Sequence, residues 1–127
     1  WKSQGIDISG MYVMDGSGLS RSNLVTTRQQ ATILYKISKM SWFIEFDESL
    51  PVAGEDGSMT SLCKGTCAEH NMRAKTGYIN RARGYAGYVK LKSGKTVSFS
   101  LLANNYTCTP TEMKKKLEKI LIAIAEM

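Results

Sequence analysis

The sequence predicts an α+β fold, an antiparallel sheet of about three strands packed by a C-terminal helix, with a helix and loops preceding it. Three observations carry that expectation. Val97, Phe99 and Leu101 alternate with Thr96, Ser98 and Ser100, the period-two pattern of a strand with one face against a core and the other toward a polar or less tightly packed side. Ser93-Gly94 separates this run from another, and so short a turn permits only an antiparallel pair. Thr109-Pro110-Thr111-Glu112 then combines an N-cap, a proline at the first helical position and the acid of a capping box.

Taken in chain order, residues 1–23 are rich in Gly and Ser and have no helical period, which suits an irregular or short-strand entry ending in the loop "DGSGLSRSN" (15–23). "TTRQQATILYKISK" opens with Thr26 and, three positions on, Gln29, a capping box; Ala31, Leu34 and Ile37 share one helical face. "SWFIEFDESLPVAGEDGSM" (41–59) passes from an aromatic-rich segment, read as one short helix, into turns around Pro51, Gly54 and Gly57, and residues 60–71 have room for a helical turn. The strands are expected at "AKTGYI" (74–79), "GYAGYVKLK" (84–92) and "KTVSFSLLANN" (95–105). In the last helix Met113, Leu117, Ile120, Leu121 and Ile124 form the stripe expected to pack on the sheet, leaving Lys114, Lys115, Lys116 and Lys119 wet.

A length of 127 residues suits one domain, 1–127, with a single core. The first residue is Trp1, without a charged and apolar leader, so the chain reads as a fragment or a processed product. Ile120–Ala125 is the longest apolar run, far short of the roughly 20 residues a membrane-spanning helix needs. A net charge of +6 favours anionic partners: nucleic acid, acidic lipid or a cell-wall polymer. Cys63, Cys67 and Cys108 are odd in number and cannot all pair within the chain.

Function is sought first in Lys75-Thr76-Gly77. On an exposed strand the ammonium sets a positive field, the hydroxyl bonds a carboxylate, and glycine lets a ligand approach the backbone; a peptide laid alongside would be held as an added strand. The plain alternative is a polar strand entry. In "DGSGLSRSN", glycines on either side of Ser17 fold the backbone tightly and present hydroxyl and amide groups outward, or simply make a solvated turn. Cys63, Cys67 and His70 have zinc-like spacing, but a structural site needs four ligands and only distant Cys108 remains, so a loop with free thiols is the expectation and no metal or cofactor is expected. Glu55 and Asp56 are adjacent, diverge, and suit a solvated loop. Arg81, Arg83, Lys90, Lys92 and Lys95 with Tyr78, Tyr85 and Tyr88 have the ingredients of a base-stacking sheet, yet no nucleic-acid module's motif is present and none is expected to bind.

Four blocks, "DGSGLSRSN" (15–23), "SLPVAGEDGSM" (49–59), "RAKTGYINRARGYAGYV" (73–89) and "LLANNY" (101–106), resemble in order and spacing the C-terminal part of the D-alanyl-D-alanine carboxypeptidase/endopeptidase family, the low-molecular-mass class C penicillin-binding proteins. The resemblance implies a partial penicillin-binding, serine β-lactamase-like fold. It also implies a serine peptidase of the periplasm or cell envelope that acts on peptidoglycan stem peptides through an acyl-enzyme and is acylated by β-lactams. Lys75, Thr76 and Gly77 match the third motif of such enzymes. By that match Lys75 assists proton movement, Thr76 binds the terminal carboxylate and the Tyr78 amide is half of an oxyanion hole. Ser17, Leu19 and Ile79 match positions that line the family's cleft.

The family's nucleophile belongs to a Ser-x-x-Lys motif on an earlier helix, followed by Ser-x-Asn, and the chain has neither in that context. The expectation is half a cleft, with the N-terminal part of the same domain missing and the fragment inactive alone. A non-enzymatic peptide- or wall-binding module using the same strand is the alternative.

Overall fold

The computed structural model describes residues 1–127. Its elements are helix α1 (Thr27–Ile37), helix α2 (Phe43–Glu48), strands β1 (Met72–Ile79), β2 (Ala82–Lys90) and β3 (Thr96–Asn104), and helix α3 (Pro110–Ala125), with single 3-10 turns at Lys2–Gln4 and Gly57–Met59. The sheet runs β1-β2-β3 and is antiparallel throughout. No helix is long and apolar enough to cross a membrane.

Both capping boxes form. Thr26 Oγ1 accepts the Gln29 amide at 3.1 Å while Gln29 Oε1 accepts the Thr26 amide at 2.9 Å. Gln29 does a second job: its Nε2 donates to the carbonyls of Asp7 (3.1 Å) and Ser9 (2.9 Å), so a buried polar side chain ties the N-terminal segment to α1. At α3, Thr109 Oγ1 accepts the Glu112 amide at 3.2 Å and Glu112 Oε2 accepts the Thr109 amide at 2.8 Å.

Period-two alternation assigns the two faces of the sheet. One face carries Met72, Ala74, Tyr85, Val89 and Phe99 into the main core, sealed by Leu117, Leu121 and Ala125 of α3. The other is covered by α1, so the sheet lies between two helical layers. Ser98 Oγ donates to the Ala31 carbonyl at 3.0 Å, Ser100 Oγ to Gln30 Oε1 at 2.7 Å, and the buried Tyr88 hydroxyl to the Leu34 carbonyl at 2.7 Å. Burial pushes the Tyr88 phenol up to about 12, which keeps it a donor.

Three expectations need correction. Residues 60–71 form turns rather than a helical turn, because Cys63 (φ 61°), Gly65 (φ 70°) and His70 (φ 59°) are left-handed, yet the segment buries Leu62, Cys63 and Ala68 completely. The α3 stripe runs through Leu117, Leu121 and Ala125, while Ile120 stays 45% exposed, since steps of four follow the contact line of a straight helix more closely. β2 begins two residues early, at Ala82, because Asn80-Arg81 makes a tight hairpin turn in which Arg81 adopts φ 56°.

Candidate functional site

β1 has two unlike halves. Along Met72–Ala74 the outer edge is occupied: the Ala53 amide donates to the Met72 carbonyl at 2.9 Å, the Ala74 amide to the Pro51 carbonyl at 3.0 Å, and Val52 bridges Arg73. Behind this half, Gly87 permits close approach, since a Cβ there would collide with the Arg73 carbonyl and lie 2.6 Å from Ala74 Cα. From Lys75 to Ile79 no backbone bond is made beyond the ladder to β2, and the strand edge is open.

That open half forms one wall of a cleft of about 490 Å3, lined by Lys75, Thr76, Gly77, Tyr78 and Ile79. Gly18, Arg21, Asn23, Leu24 and Val25 form the opposite wall, with Gln30 of α1 and Gly84, Ala86 and Leu102 of the sheet beneath. An added Cβ at Gly77 would meet nothing within 4 Å, so this glycine borders open space. Lys75 Nζ donates to the Thr76 carbonyl at 3.1 Å, and neither Lys75 nor Arg21 makes an ion pair; the protein's arginine–carboxylate pair is Arg73–Asp47, and His70 Nδ1 lies 3.3 Å from Glu55 Oε2. Arg83 also borders the cleft without a carboxylate partner, and three uncompensated cations beside an open strand edge suit a peptide ending in a carboxylate.

The facing loop is held by residues that sequence reading passed over. Tyr12 and Leu24 exchange backbone bonds of 2.9 and 2.7 Å at its neck. Inside it, Asp15 accepts from the Gly18 amide (2.9 Å), the Ser20 amide (3.0 Å) and Asn23 Nδ2 (2.9 Å), and Asn23 Oδ1 accepts the Met14 amide at 2.7 Å. The Asn23 bond, against some burial, and the two amides hold the Asp15 carboxyl below its usual range. The signal was present: Asx turns are what an aspartate before Gly-Ser-Gly makes.

The structure therefore sets Lys75, Thr76, Gly77, Tyr78 and Ile79 together against the tip of the glycine loop. It does not bring Ser17 or Leu19 into the wall. Both are exposed, Leu19 by 76%, and Gly18 between them lines the cleft instead. Arg21, Asn23 and Gln30 are cleft residues that sequence reading did not single out.

Other candidates disperse. Ser61-Leu62-Cys63-Lys64 has Ser-x-x-Lys spacing, but it follows the glycine loop, lies on turns, and Ser61 Oγ accepts Lys114 Nζ at 2.7 Å outside the cleft. His, Cys, Asp and Glu side chains form no group of three that could hold a metal ion. Cys63 is fully buried and its thiol is pushed up to about 12, by burial first and then by Glu118 and Cys67. Tyr85 and Tyr88 are 2% and 3% exposed and unavailable to stack bases, and Arg81 is spent on the Tyr106 (3.1 Å) and Asn105 (3.2 Å) carbonyls.

Comparison with known proteins gives a consistent set. The profile of the D-Ala-D-Ala carboxypeptidase 3 (S13) family matches residues 1–126. A D-alanyl-D-alanine carboxypeptidase from Actinomadura sp. (strain R39) is 36% identical over 108 residues, covering 81% of this chain and 20% of that protein. The crystal structure of penicillin binding protein 4 (dacB) from Haemophilus influenzae superimposes with a TM-score of 0.84 at 26% identity, over 99% of this chain and 30% of that one. The same Haemophilus protein complexed with a β-lactam gives a TM-score of 0.81 at 28% identity, over 95% of this chain and 31% of that one. The chain thus spans between a fifth and a third of the length of these relatives.

Proposed function

The chain belongs to the D-Ala-D-Ala carboxypeptidase 3 (S13) family, and from that premise we propose that it forms the strand-side wall of a serine carboxypeptidase cleft that grips D-alanine-terminated stem peptides of peptidoglycan. Lys75 supplies the positive field and assists proton movement, Thr76 bonds the terminal carboxylate, and the Tyr78 amide serves one half of an oxyanion hole. In this reading the 127 residues are the C-terminal part of a longer penicillin-binding domain that works in the periplasm or cell envelope. The serine that β-lactams and substrate acylate comes from the remainder.

The observation that carries the proposal is the open half of β1, with unpaired Lys75 and uncrowded Gly77, facing Gly18 across a single cleft. With no Ser-x-x-Lys in that cleft the chain has no activated nucleophile, so it binds without turning over. Two measurements test this. Titration should give binding of a peptide ending in D-Ala-D-Ala over its L,L counterpart, and equal affinity for both would overturn the assignment. Incubation with a labelled penicillin should leave the intact mass unchanged, and a stoichiometric gain would refute the claim of inactivity.

A second reading, a non-enzymatic module that docks peptide or wall polymer on the same strand, rests on the same free edge of residues 75–79. The gene upstream of Trp1 decides: Ser-x-x-Lys followed by Ser-x-Asn selects the enzyme, and their absence selects the module. An oligonucleotide titrated across a salt series distinguishes a third possibility, since phosphate binding weakens steeply with salt.

A further inference from the structure

The side chains of Tyr78, Tyr85, Tyr106 and Arg83 have no role in the scheme above. Tyr78 and Arg83 are direct cross-strand partners, at the register position adjoining the Gly77–Gly84 pair. The Arg83 guanidinium lies over the Tyr78 ring at 4.7 Å from its centroid, and its Nη1 donates to the Tyr85 hydroxyl at 3.4 Å. Tyr85 is a core residue only 2% exposed, so the guanidinium is anchored to the packed part of the molecule while it holds an exposed ring. Arg83 has no carboxylate partner, and its Nε and the nearby Tyr106 hydroxyl are both buried without a hydrogen bond. Burial works to lower its pKa, and the phenols of Tyr85 and Tyr106 more than offset this, so the charge is retained.

An isolated, half-buried guanidinium wrapped by phenols is costly unless it does something for its neighbours. What it does can be read from the backbone. Residues 75–79 have a free outer edge, and every residue from Gly77 to Ile79 is exposed, so nothing on that side fixes the strand end. Gly77, without a side chain, adds no restraint. Among the polar and cation–π contacts of its side chains, the Tyr78–Arg83–Tyr85 relay is what joins this segment to the core.

We propose that Arg83 is a positioning residue: by clasping the Tyr78 ring and leaning on Tyr85, it holds the Gly77–Ile79 backbone in register for the ligand lying along the open edge. Alternation puts Tyr78, Arg83 and Tyr85 on the sheet face opposite Lys75 and Gly77, and although all three border the cleft, the guanidinium is engaged by the Tyr78 ring and the Tyr85 hydroxyl, so its role runs through Tyr78. The ligand-binding half of this inference rests on the function proposed above; the backbone half does not.

The test uses the 127-residue chain, which has its own core, with 15N relaxation of its backbone amides and titration with a peptide ending in D-Ala-D-Ala. Arg83→Gln should lower the order of the Gly77, Tyr78 and Ile79 amides and leave those of α3 unchanged. Affinity should fall by roughly two- to five-fold, the scale of one exposed cation–π contact. Arg83→Lys should restore most of both, because an ammonium still sits over the ring. Combining Arg83→Gln with Tyr78→Leu should cost no more than either alone. Unchanged amide order in Arg83→Gln, or failure of Arg83→Lys to rescue, overturns the proposal. If amide order responds as described but the unaltered chain binds no peptide, the positioning role stands and the peptidase assignment fails.

Discussion

β1 is one strand with two environments. In Met72–Ala74 two of three side chains are fully buried, the outer edge is paired to Pro51–Ala53, and the backbone of β2 presses so closely that only glycine fits at position 87. In Lys75–Ile79 the edge is free, four of the five residues are exposed, and glycine at position 77 has empty space before it. The two glycines look alike in sequence and have opposite surroundings: at Gly87 another backbone leaves no room for a side chain, while Gly77 borders open space, where the proposed ligand would lie. Packing and, in the proposed function, recognition are thus divided along a single strand, with the open half built onto the buried one.

That division can be broken deliberately. Gly87→Val should have the largest effect, since its side chain would meet the Arg73 and Ala74 backbone; a loss of about 3 kcal/mol or outright failure to fold is expected in urea denaturation. Gly77→Val should do the reverse. Its unfolding free energy in urea should stay within about 0.5 kcal/mol of the unaltered chain, as for substitutions away from packed features. Peptide affinity should nevertheless fall about tenfold or more as the cleft wall is filled. If Gly77→Val unfolds the chain, the two halves are not separable.

Smaller effects sharpen the comparison. Tyr88→Phe removes one of two donors to the Leu34 carbonyl, which keeps the Ser38 amide at 2.9 Å, and should cost about 1 kcal/mol with no change in peptide affinity. The smallest is a pH effect at the facing loop. Asp15 has its pKa lowered from 3.8, so its bonds stabilise the loop at pH above that value and are lost as pH falls through the lower folded value. Amide shifts of Gly18 and Ser20 should therefore move together below about pH 4, and Asp15→Asn should abolish that titration.

Much of this was legible in the residues. Capping boxes at Thr26 and Thr109, and the alternation of Thr96–Leu101, specify helix starts and strand faces by local chemistry, and local chemistry is what a sequence displays. The four blocks that resemble the carboxypeptidase family include the open half of β1 that borders the cleft. The other wall was mislocated by one residue on either side: exposed Ser17 and Leu19 flank the lining Gly18, because the facing of a loop is set by its Asp15 and Asn23 bonds rather than by any period. Residues 60–71 hid their burial for the same reason, with left-handed positions at Cys63 and His70 that no helical or strand pattern announces. The covering of the sheet's polar face by α1 depends on contacts such as Ser100 to Gln30, seventy residues apart in the chain.

The central claim is that the open half of β1 and the glycine loop close on one ligand. Backbone amide shifts recorded during titration with a peptide ending in D-Ala-D-Ala test it most directly. The account predicts saturable changes at Gly18 and at Lys75 through Ile79, with Met72–Ala74 and α3 unmoved; changes confined to the lysines of α3, or on one wall of the cleft without the other, would contradict it.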